Sequence, residues 1–180
     1  EKAWAQRAGL GWIGKHTNLL TRDYSSWLFL GVLIINQELE YDNPYQDDMC
    51  GSCTACIDEC PTDALVDAYQ LDANKCISYL TIEHRGDIPE EFHDKLNNWI
   101  YGCDICQEVC PWSQKFSQVT DEVAFQPRSN INERSIVKWS RLTEDDFRIL
   151  FKKSAVKRTK YLGLKRNITL LDKSTSKRSN

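Results

Sequence analysis

Eight cysteines, seven of them in two dense runs, carry the clearest chemistry in this sequence. The first run is Cys50-x2-Cys53-x2-Cys56-x3-Cys60, followed at once by Pro61. Three thiolates spaced by two residues can wrap around three corners of an iron–sulfur cubane, and the fourth, which comes three residues later before a proline, points toward a second cluster. The spacing therefore predicts a [4Fe–4S] site.

The second run lacks only its first cysteine. Cys103-x2-Cys106-x3-Cys110 is also followed by a proline, and Cys76 is the one cysteine left to complete the set. In two-cluster ferredoxins the last cysteine of a run serves the other cluster. We therefore predict two [4Fe–4S] clusters, with the ligand sets Cys50, Cys53, Cys56 and Cys110 for one, and Cys60, Cys76, Cys103 and Cys106 for the other.

Two other uses of the cysteines are less compatible with the spacing. Structural zinc would explain the CxxC pairs, but zinc sites rarely add a third cysteine at x2 and then x3-Cys-Pro. A disulfide scaffold would scatter its cysteines and would imply an oxidising compartment. Metal-ligand spacing favours a reducing, cytoplasmic setting.

Composition excludes a membrane span and reveals an uneven charge. The apolar stretch 27–35 has nine residues, too few to cross a bilayer, and no signal peptide precedes the first motif. The net charge is −3, but residues 152–180 contain ten Lys or Arg and one Asp, so they carry +9 and the rest of the chain carries −12. The basic tail is either a solvated end or a surface that follows phosphates.

Several elements are expected around the cysteines. The region 9–14 has three glycines, which suits a backbone that turns sharply or is approached closely. Thr143 is a good N-cap for a helix whose first turn is acidic. The other expectations are a helix over 3–8, a buried strand over 26–36, a helix over 89–100, a polar linker over 113–132, a helix within 154–171 and disorder over 174–180.

The segment from Ala8 to Leu19, AGLGWIGKHTNL, resembles a signature of the epoxyqueuosine reductases, the cobalamin-dependent enzymes of tRNA queuosine synthesis. The likeness continues through 48–56, 76–81 and 101–106, more weakly through 155–158, and covers the chain to about residue 170. It implies reductive conversion of epoxyqueuosine to queuosine at the tRNA wobble position, with electrons passing from the clusters to cobalamin. A carboxylic acid then protonates the leaving oxygen.

By the same resemblance, the catalytic acid is an Asp upstream of the position of Glu1, so this chain contains no catalytic residue of its own and is expected to be inactive alone. The cobalamin contacts implied are Lys15, His16, Thr17, Leu19, Ser26, Leu30, Ser78 and Asp104. Each has a simpler alternative: the apolar residues are core, Lys15 meets solvent, and Asp104 stabilises a turn. His16 is not assigned to cobalt, because the family binds cobalamin without a protein histidine.

The sequence thus predicts an α+β protein: a two-cluster ferredoxin-like domain attached to the end of an α/β cobalamin-binding domain, with a short helical C-terminal tail. The domains are 1–46, the end of the cobalamin-binding domain; 47–115, the ferredoxin-like domain; and 116–180, a linker and a helical basic tail. The expected partners of a monomer are a tRNA anticodon stem-loop and an external electron donor of the flavodoxin or ferredoxin type, with no membrane. A ferredoxin-type electron carrier without corrinoid stays open as the alternative, whereas the segment Ala8–Leu19 argues against a reductive dehalogenase.

Overall fold

The computed structural model describes residues 1–132 and 134–178, which form short helices and two small hairpins. In chain order the elements are α1 (Lys2–Arg7), β1 (Trp12–Ile13), β2 (Leu19–Leu20), α2 (Ala55–Asp58), β3 (Leu65–Asp67), β4 (Gln70–Leu71), α3 (Ile77–Ile82), a 3₁₀-helix (Glu90–Lys95), α4 (Ile105–Glu108), α5 (Pro111–Phe116), a 3₁₀-helix (Val123–Phe125), α6 (Ser129–Asn132), α7 (Ile136–Ser140), α8 (Glu144–Leu150), a 3₁₀-helix (Ala155–Thr159) and α9 (Lys160–Arg178). Among the residues described, no helix is both long and apolar enough to cross a membrane.

The chain divides into two compact units. The first unit contains Glu1–Asp72 and Asp104–Val119, and the second contains Ala73–Cys103 and Thr120–Asn180. These units are defined by contacts between residues. The predicted domain boundaries at 46/47 and 115/116, which follow the expected cofactors, stay a prediction.

In the first unit, α1 confirms the predicted N-terminal helix, and a tight antiparallel hairpin follows it. In this hairpin Trp12 pairs with Leu20 and Ile13 pairs with Leu19. A Cβ atom on Gly11 would lie 1.9 Å from the Leu20 carbonyl oxygen, so only glycine fits there. The expected close approach in the glycine-rich loop is confirmed, and Trp12 and Leu20 become core residues that pack with Cys110.

The predicted buried strand over 26–36 is wrong. The region has no strand, and the exposed fractions of Phe29, Leu33 and Ile34 are 86%, 86% and 92%. A strand needs a hydrogen-bonding partner, and the described residues provide only an isolated bridge just before it, between Thr21 and Ser25. An apolar, β-branched run predicts the preference for a strand but not the presence of a neighbour.

The cysteine runs fold as short turns of helix. Cys56 lies in α2 and Cys106 lies in α4, each a single turn, and Pro111 occupies the first turn of α5. Proline is favoured there because its missing N–H has no helical partner in any case. The strands β3 and β4 form a second hairpin between the runs, with Leu65 opposite Leu71.

The second unit begins with α3, whose Ile77 and Leu80 pack in a core with Ile88, Phe92 and Leu96. The helix predicted over 89–100 is shorter than expected: only Glu90–Lys95 is helical, and it is a 3₁₀-helix. Asn97 and Asn98 take left-handed φ values of 48° and 67°, which ends the helix.

A second core of this unit holds the C-terminal helices, with Trp139, Phe147, Phe151, Leu164 and Ile168 at its centre. Thr143 forms the predicted N-cap as a full capping box, in which its side chain and that of Asp146 accept each other's backbone N–H groups.

The predicted helix within 154–171 is confirmed by the 3₁₀-helix Ala155–Thr159 and by α9. The disorder predicted over 174–180 is wrong for 174–178, because α9 continues to Arg178, and residues 179–180 lie outside the described part. Helices propagate at little cost beyond a packed start, and residues 174–178 contain no Gly or Pro.

Candidate metal centre

Four cysteines from the two runs line one pocket of the first unit. The pocket has a volume of about 200 Å³, several times the roughly 30 Å³ share of one water molecule. It is lined by Cys50, Cys53, Cys56, Cys110, Lys15, His16, Met49, Pro111 and Trp112. The structure therefore brings the last cysteine of the second run to the first three of the first run, in a space suited to a cluster of several atoms.

Hydrogen bonds shape the loop that carries Cys50 and Cys53. The Cys53 backbone N–H donates to the Cys50 carbonyl at 3.2 Å, and Gly51 between them takes a left-handed φ of 52°. The Cys50 N–H donates to Asp48 Oδ1 at 2.9 Å, and the Tyr69 hydroxyl donates to the other Asp48 oxygen. Although partial burial opposes the effect, these donors hold the pKa of Asp48 below its ordinary value.

Lys15 ties the β1–β2 hairpin to this loop. Its Nζ donates to the carbonyl of Gly51 at 2.6 Å and to that of Cys53 at 2.9 Å. The ammonium group therefore neutralises two carbonyl dipoles next to the thiols, where negative charge would collect on metal binding.

The thiols of the pocket influence one another. Burial, followed by the nearby Cys110, Cys50 and Cys53, raises the pKa of Cys56 to about 11. Burial also raises the pKa of Cys50, and the backbone N–H of Lys15 and the indole N–H of Trp12 oppose this rise. Cys50 and Cys56 therefore resist ionisation in the iron-free pocket, and iron, which binds thiolates, would favour their charged form.

His16 is buried at the same pocket, with an exposed fraction of 3%. Its Nδ1 accepts the Asn18 backbone N–H at 3.1 Å, whereas its Nε2 has no partner among the described residues. Burial, with the charge of Lys2, lowers the pKa of His16 to about 4, so the imidazole is neutral at neutral pH.

The other four cysteines are divided between the units: Cys60 and Cys106 belong to the first, Cys76 and Cys103 to the second. The Ala64 N–H donates to the Cys60 sulfur at 3.3 Å, and Cys76 is the N-cap residue of α3. All eight cysteines are free thiols. Within the described ranges, no three His, Cys, Asp or Glu side chains are arranged to hold a single metal ion.

Of the predicted cobalamin contacts, Lys15 and His16 lie at the cysteine pocket, and the other six are not among its lining residues. Leu19 is buried, and the Ser26 hydroxyl, also buried, lies 3.2 Å from that of Ser113. Thr17 has a left-handed φ of 65°, and its carbonyl accepts a hydrogen bond from Lys2.

The remaining three predicted contacts are Leu30, Ser78 and Asp104. Leu30 is half-buried and Ser78 belongs to the second unit. Asp104 accepts a hydrogen bond from Gln107 at 2.7 Å, and burial raises the pKa of its carboxyl. Their role toward cobalamin stays a prediction.

Trp112 lines the pocket and Trp12 packs beside it, and neither was identified from the sequence as a pocket residue. Trp112 donates its indole N–H to the Met49 carbonyl at 3.1 Å, and its ring meets that of Trp12 edge-on at 4.9 Å. The position of Trp112 directly after Cys110 and Pro111 was the available signal, because a large residue next to a ligand run is placed to shield the cluster.

Comparison with known proteins agrees with this geometry. Residues 49–113 match the family model of the 4Fe-4S double cluster binding domain. The chain is 52% identical over 171 residues to the epoxyqueuosine reductase of Cellulophaga algicola, a match that covers 95% of this chain and 55% of that protein.

Solved structures extend the similarity to three dimensions. A selenomethionine-labelled epoxyqueuosine reductase matches with a TM-score of 0.87 and 36% identity, over 94% of this chain and 44% of that one. An epoxyqueuosine reductase crystallised with an epoxyqueuosine-modified tRNA stem-loop matches with a TM-score of 0.81 and 34% identity, over 94% and 44%. Along nearly its whole length, therefore, this chain belongs with the epoxyqueuosine reductases, and it spans about half the length of the relatives that it matches.

Proposed function

We propose that this chain is the iron–sulfur portion of an epoxyqueuosine reductase, which converts epoxyqueuosine to queuosine at the tRNA wobble position. The observation that carries the proposal is the presence of Cys110 in one pocket with Cys50, Cys53 and Cys56. This crossed use of the two runs is the arrangement of two-cluster ferredoxins. The similarity to named reductases supplies the reaction.

The first cluster would be held by these four cysteines. When bound, it supplies one electron at a time at low potential. The chain's own contribution is to bury the thiolates, to fix their loop through Lys15 and Asp48, and to shield them with Trp112. These features support the assignment of a [4Fe–4S] cluster to this pocket.

The second cluster would be held by Cys60, Cys76, Cys103 and Cys106. The support is the spacing of the motif and the family match, which spans all four positions. The N–H of Ala64 at the Cys60 sulfur is of the kind that stabilises a thiolate ligand.

Cobalamin as a further cofactor rests on the resemblance of Ala8–Leu19 and its neighbours. Of the eight residues suggested by the resemblance, Lys15 and His16 line the cysteine pocket, where Lys15 donates hydrogen bonds to the cysteine loop. The α/β cobalamin-binding domain, a cytoplasmic location, a monomeric state and an electron donor of the flavodoxin or ferredoxin type are parts of the same proposal.

Metal analysis tests the proposal directly. Anaerobic reconstitution of the chain should give about eight irons and eight acid-labile sulfides. Cys76→Ala should lose the cluster that also uses Cys60, Cys103 and Cys106 and keep about four irons. Four irons in the unmodified chain, or eight in Cys76→Ala, would contradict the ligand sets.

A second experiment separates the reductase from a simple electron carrier. A full-length protein that contains this chain should bind cob(II)alamin in the base-off form and reduce epoxyqueuosine in a tRNA anticodon stem-loop. His16→Ala should leave the base-off spectrum unchanged. Full cluster content without cobalamin binding would favour the ferredoxin-type carrier.

A further inference from the structure

His16 presents a buried hydrogen-bond donor that has no acceptor in the part of the chain that the structure describes. Because its Nδ1 accepts the Asn18 N–H, the proton of the neutral ring is on Nε2. That Nε2 is buried and unpartnered, and the residue lines the pocket of Cys50, Cys53, Cys56 and Cys110. Buried donors in native proteins almost always have an acceptor, so this one points to a group that binds in the pocket.

The other two histidines provide a comparison within the same chain. The Nε2 of His84 lies 2.9 Å from the Asp87 carbonyl, and that of His93 lies 2.8 Å from the Ile88 carbonyl. Both Nε2 atoms thus have an oxygen partner. The missing partner at His16 is a property of its site and not of histidines in this fold.

A second buried donor comes from the same hairpin. The indole N–H of Trp12 is also buried without a hydrogen-bond partner among the described residues, and Trp12 packs in one core with Cys50 and Cys110. The turn of the hairpin is built closely around the imidazole, because a Cβ on Gly14 would lie 3.1 Å from His16 Cε1 and 2.7 Å from a Leu20 methyl. The fold therefore holds the imidazole in a fixed position at the thiols.

We propose that His16 Nε2–H donates a hydrogen bond to a sulfur atom of the cluster bound by Cys50, Cys53, Cys56 and Cys110, and that Trp12 is a second donor to the Cys50 sulfur. The inference rests on the proposed ligand set of the first cluster. It makes His16 a positioning and tuning residue of that cluster rather than a cobalamin contact.

The chemical consequence concerns the reduction potential. Reduction adds one negative charge to the cluster, and N–H donors at the sulfurs stabilise that charge. The hairpin therefore makes this cluster easier to reduce. Since the donor is neutral and buried, solvent cannot replace it when it is removed.

Two substitutions distinguish the role of His16 Nδ1 as an acceptor from that of His16 Nε2 as a donor. In His16→Asn the side-chain oxygen can replace Nδ1 as the acceptor for Asn18, while the donor at the Nε2 position is lost. In His16→Gln the longer side chain can return an N–H to the Nε2 position. Both are compared with the unmodified chain after anaerobic reconstitution, by iron content and by redox titration followed by EPR.

We expect His16→Asn to lower the equilibrium constant for reduction of one cluster about tenfold, which is about 59 mV for one electron. His16→Gln should recover most of this loss, and the other cluster should not change. Equal potentials in His16→Asn and the unmodified chain, at equal iron content, would overturn the proposal.

A direct measurement covers the case in which the variant loses its cluster. The unmodified chain, labelled with ¹⁵N-histidine and reduced, should show a ¹⁵N coupling to the cluster in pulsed EPR. The coupling should disappear in His16→Gln, since the amide nitrogen is unlabelled. Absence of the coupling in an unmodified chain with eight irons would refute the His16 bond while leaving the proposed function intact, whereas a chain that binds no iron would refute both.

Discussion

Cys56 is the residue where burial and neighbouring thiols combine most strongly. Without iron its pKa is raised to about 11, whereas an unfolded thiol has a pKa of about 8.5. As pH rises, the unfolded state loses this proton first, so the folded state binds more protons. The contribution to stability is therefore full below about pH 8.5 and is lost as pH rises through about 11.

We predict that the iron-free, reduced chain loses stability between pH 8 and pH 10.5 partly through this thiol. Cys56→Ser, which cannot ionise in this range, should lose less. The measurement is the free energy of unfolding in urea at both pH values, with a reductant present. Equal losses in the two proteins would show that Cys56 ionises as freely when folded as when unfolded.

Lys15 joins two parts of the first unit through a single ammonium group. Lys15→Met keeps an unbranched side chain that is one atom shorter but leaves the carbonyls of Gly51 and Cys53 without their donor. We expect the reconstituted variant to lose iron several-fold faster in air than the unmodified chain, because the cysteine loop is no longer fixed. The matched control is Lys152→Met, an exposed lysine in the second unit, which should lose iron at the unmodified rate.

At the scale of elements, features that depend on neighbouring residues were predictable from the sequence, whereas strand pairing was not. Thr143 and the acids after it specify a helix start through neighbouring atoms alone, so the capping box was predictable. A strand over 26–36 would need a partner strand, which the local sequence does not contain. The 3₁₀-helix Glu90–Lys95 ends before Asn97, whose left-handed backbone conformation is only weakly indicated by composition.

The capping box can be tested by substitution. Thr143→Ala removes the hydroxyl that accepts the Asp146 backbone N–H and donates to the Asp146 carboxylate. We expect a loss of about 1 kcal/mol in the free energy of unfolding of the second unit. Fluorescence of Trp139, which stacks on Phe151 in the same unit, contributes to the signal.

The control for this variant is Thr169→Ala, an exposed position within α9, where we expect a change within about 0.5 kcal/mol. Similar losses at both positions would argue against a role for the cap.

At the scale of the whole molecule, the basic residues of the tail fall into two groups: arginines that contact the rest of the second unit, and exposed lysines. The guanidinium of Arg166 donates to the carbonyls of Leu80 at 2.8 Å and His84 at 3.2 Å, and Arg158 pairs with Glu83. These arginines hold the second unit together. The exposed side chains of Lys152, Lys157 and Lys160 are the better candidates for RNA phosphates.

We predict that Lys152→Gln, Lys157→Gln and Lys160→Gln together weaken tRNA binding by a full-length protein and flatten its salt dependence. Every lysine–phosphate interaction that the substitutions abolish should reduce the slope of log affinity against log salt by roughly 0.7–0.9. The control changes three exposed lysines elsewhere, Lys95, Lys115 and Lys138, to Gln, which removes the same amount of charge. Equal effects from both sets would mean that only net charge matters.

The cysteine pocket was predictable from sequence because ligand spacing is imposed by the geometry of the cluster itself. The residues around the pocket were less predictable from the sequence. Lys15 and His16 were identified as cobalamin contacts, which stays a prediction, and the structure places both at the cysteine pocket. A family resemblance names such residues but not the contacts that they make within the chain. Trp12 and Trp112 reach the pocket only through the hairpin and α5, and such contacts depend on tertiary packing.

The strip of apolar side chains at Phe29, Leu33 and Ile34 will govern how the isolated chain behaves in the test tube. Their exposed fractions of 86–92% place these hydrocarbon side chains in water, and exposed apolar side chains gathered in one short segment promote self-association and bind hydrophobic dyes. Anilinonaphthalene fluorescence should therefore rise on mixing with the folded chain, and light scattering should grow with its concentration. Changing Leu33 and Ile34 to Lys should suppress both while leaving the iron content unaltered, so that the doubly substituted chain is the better sample for concentrated spectroscopy.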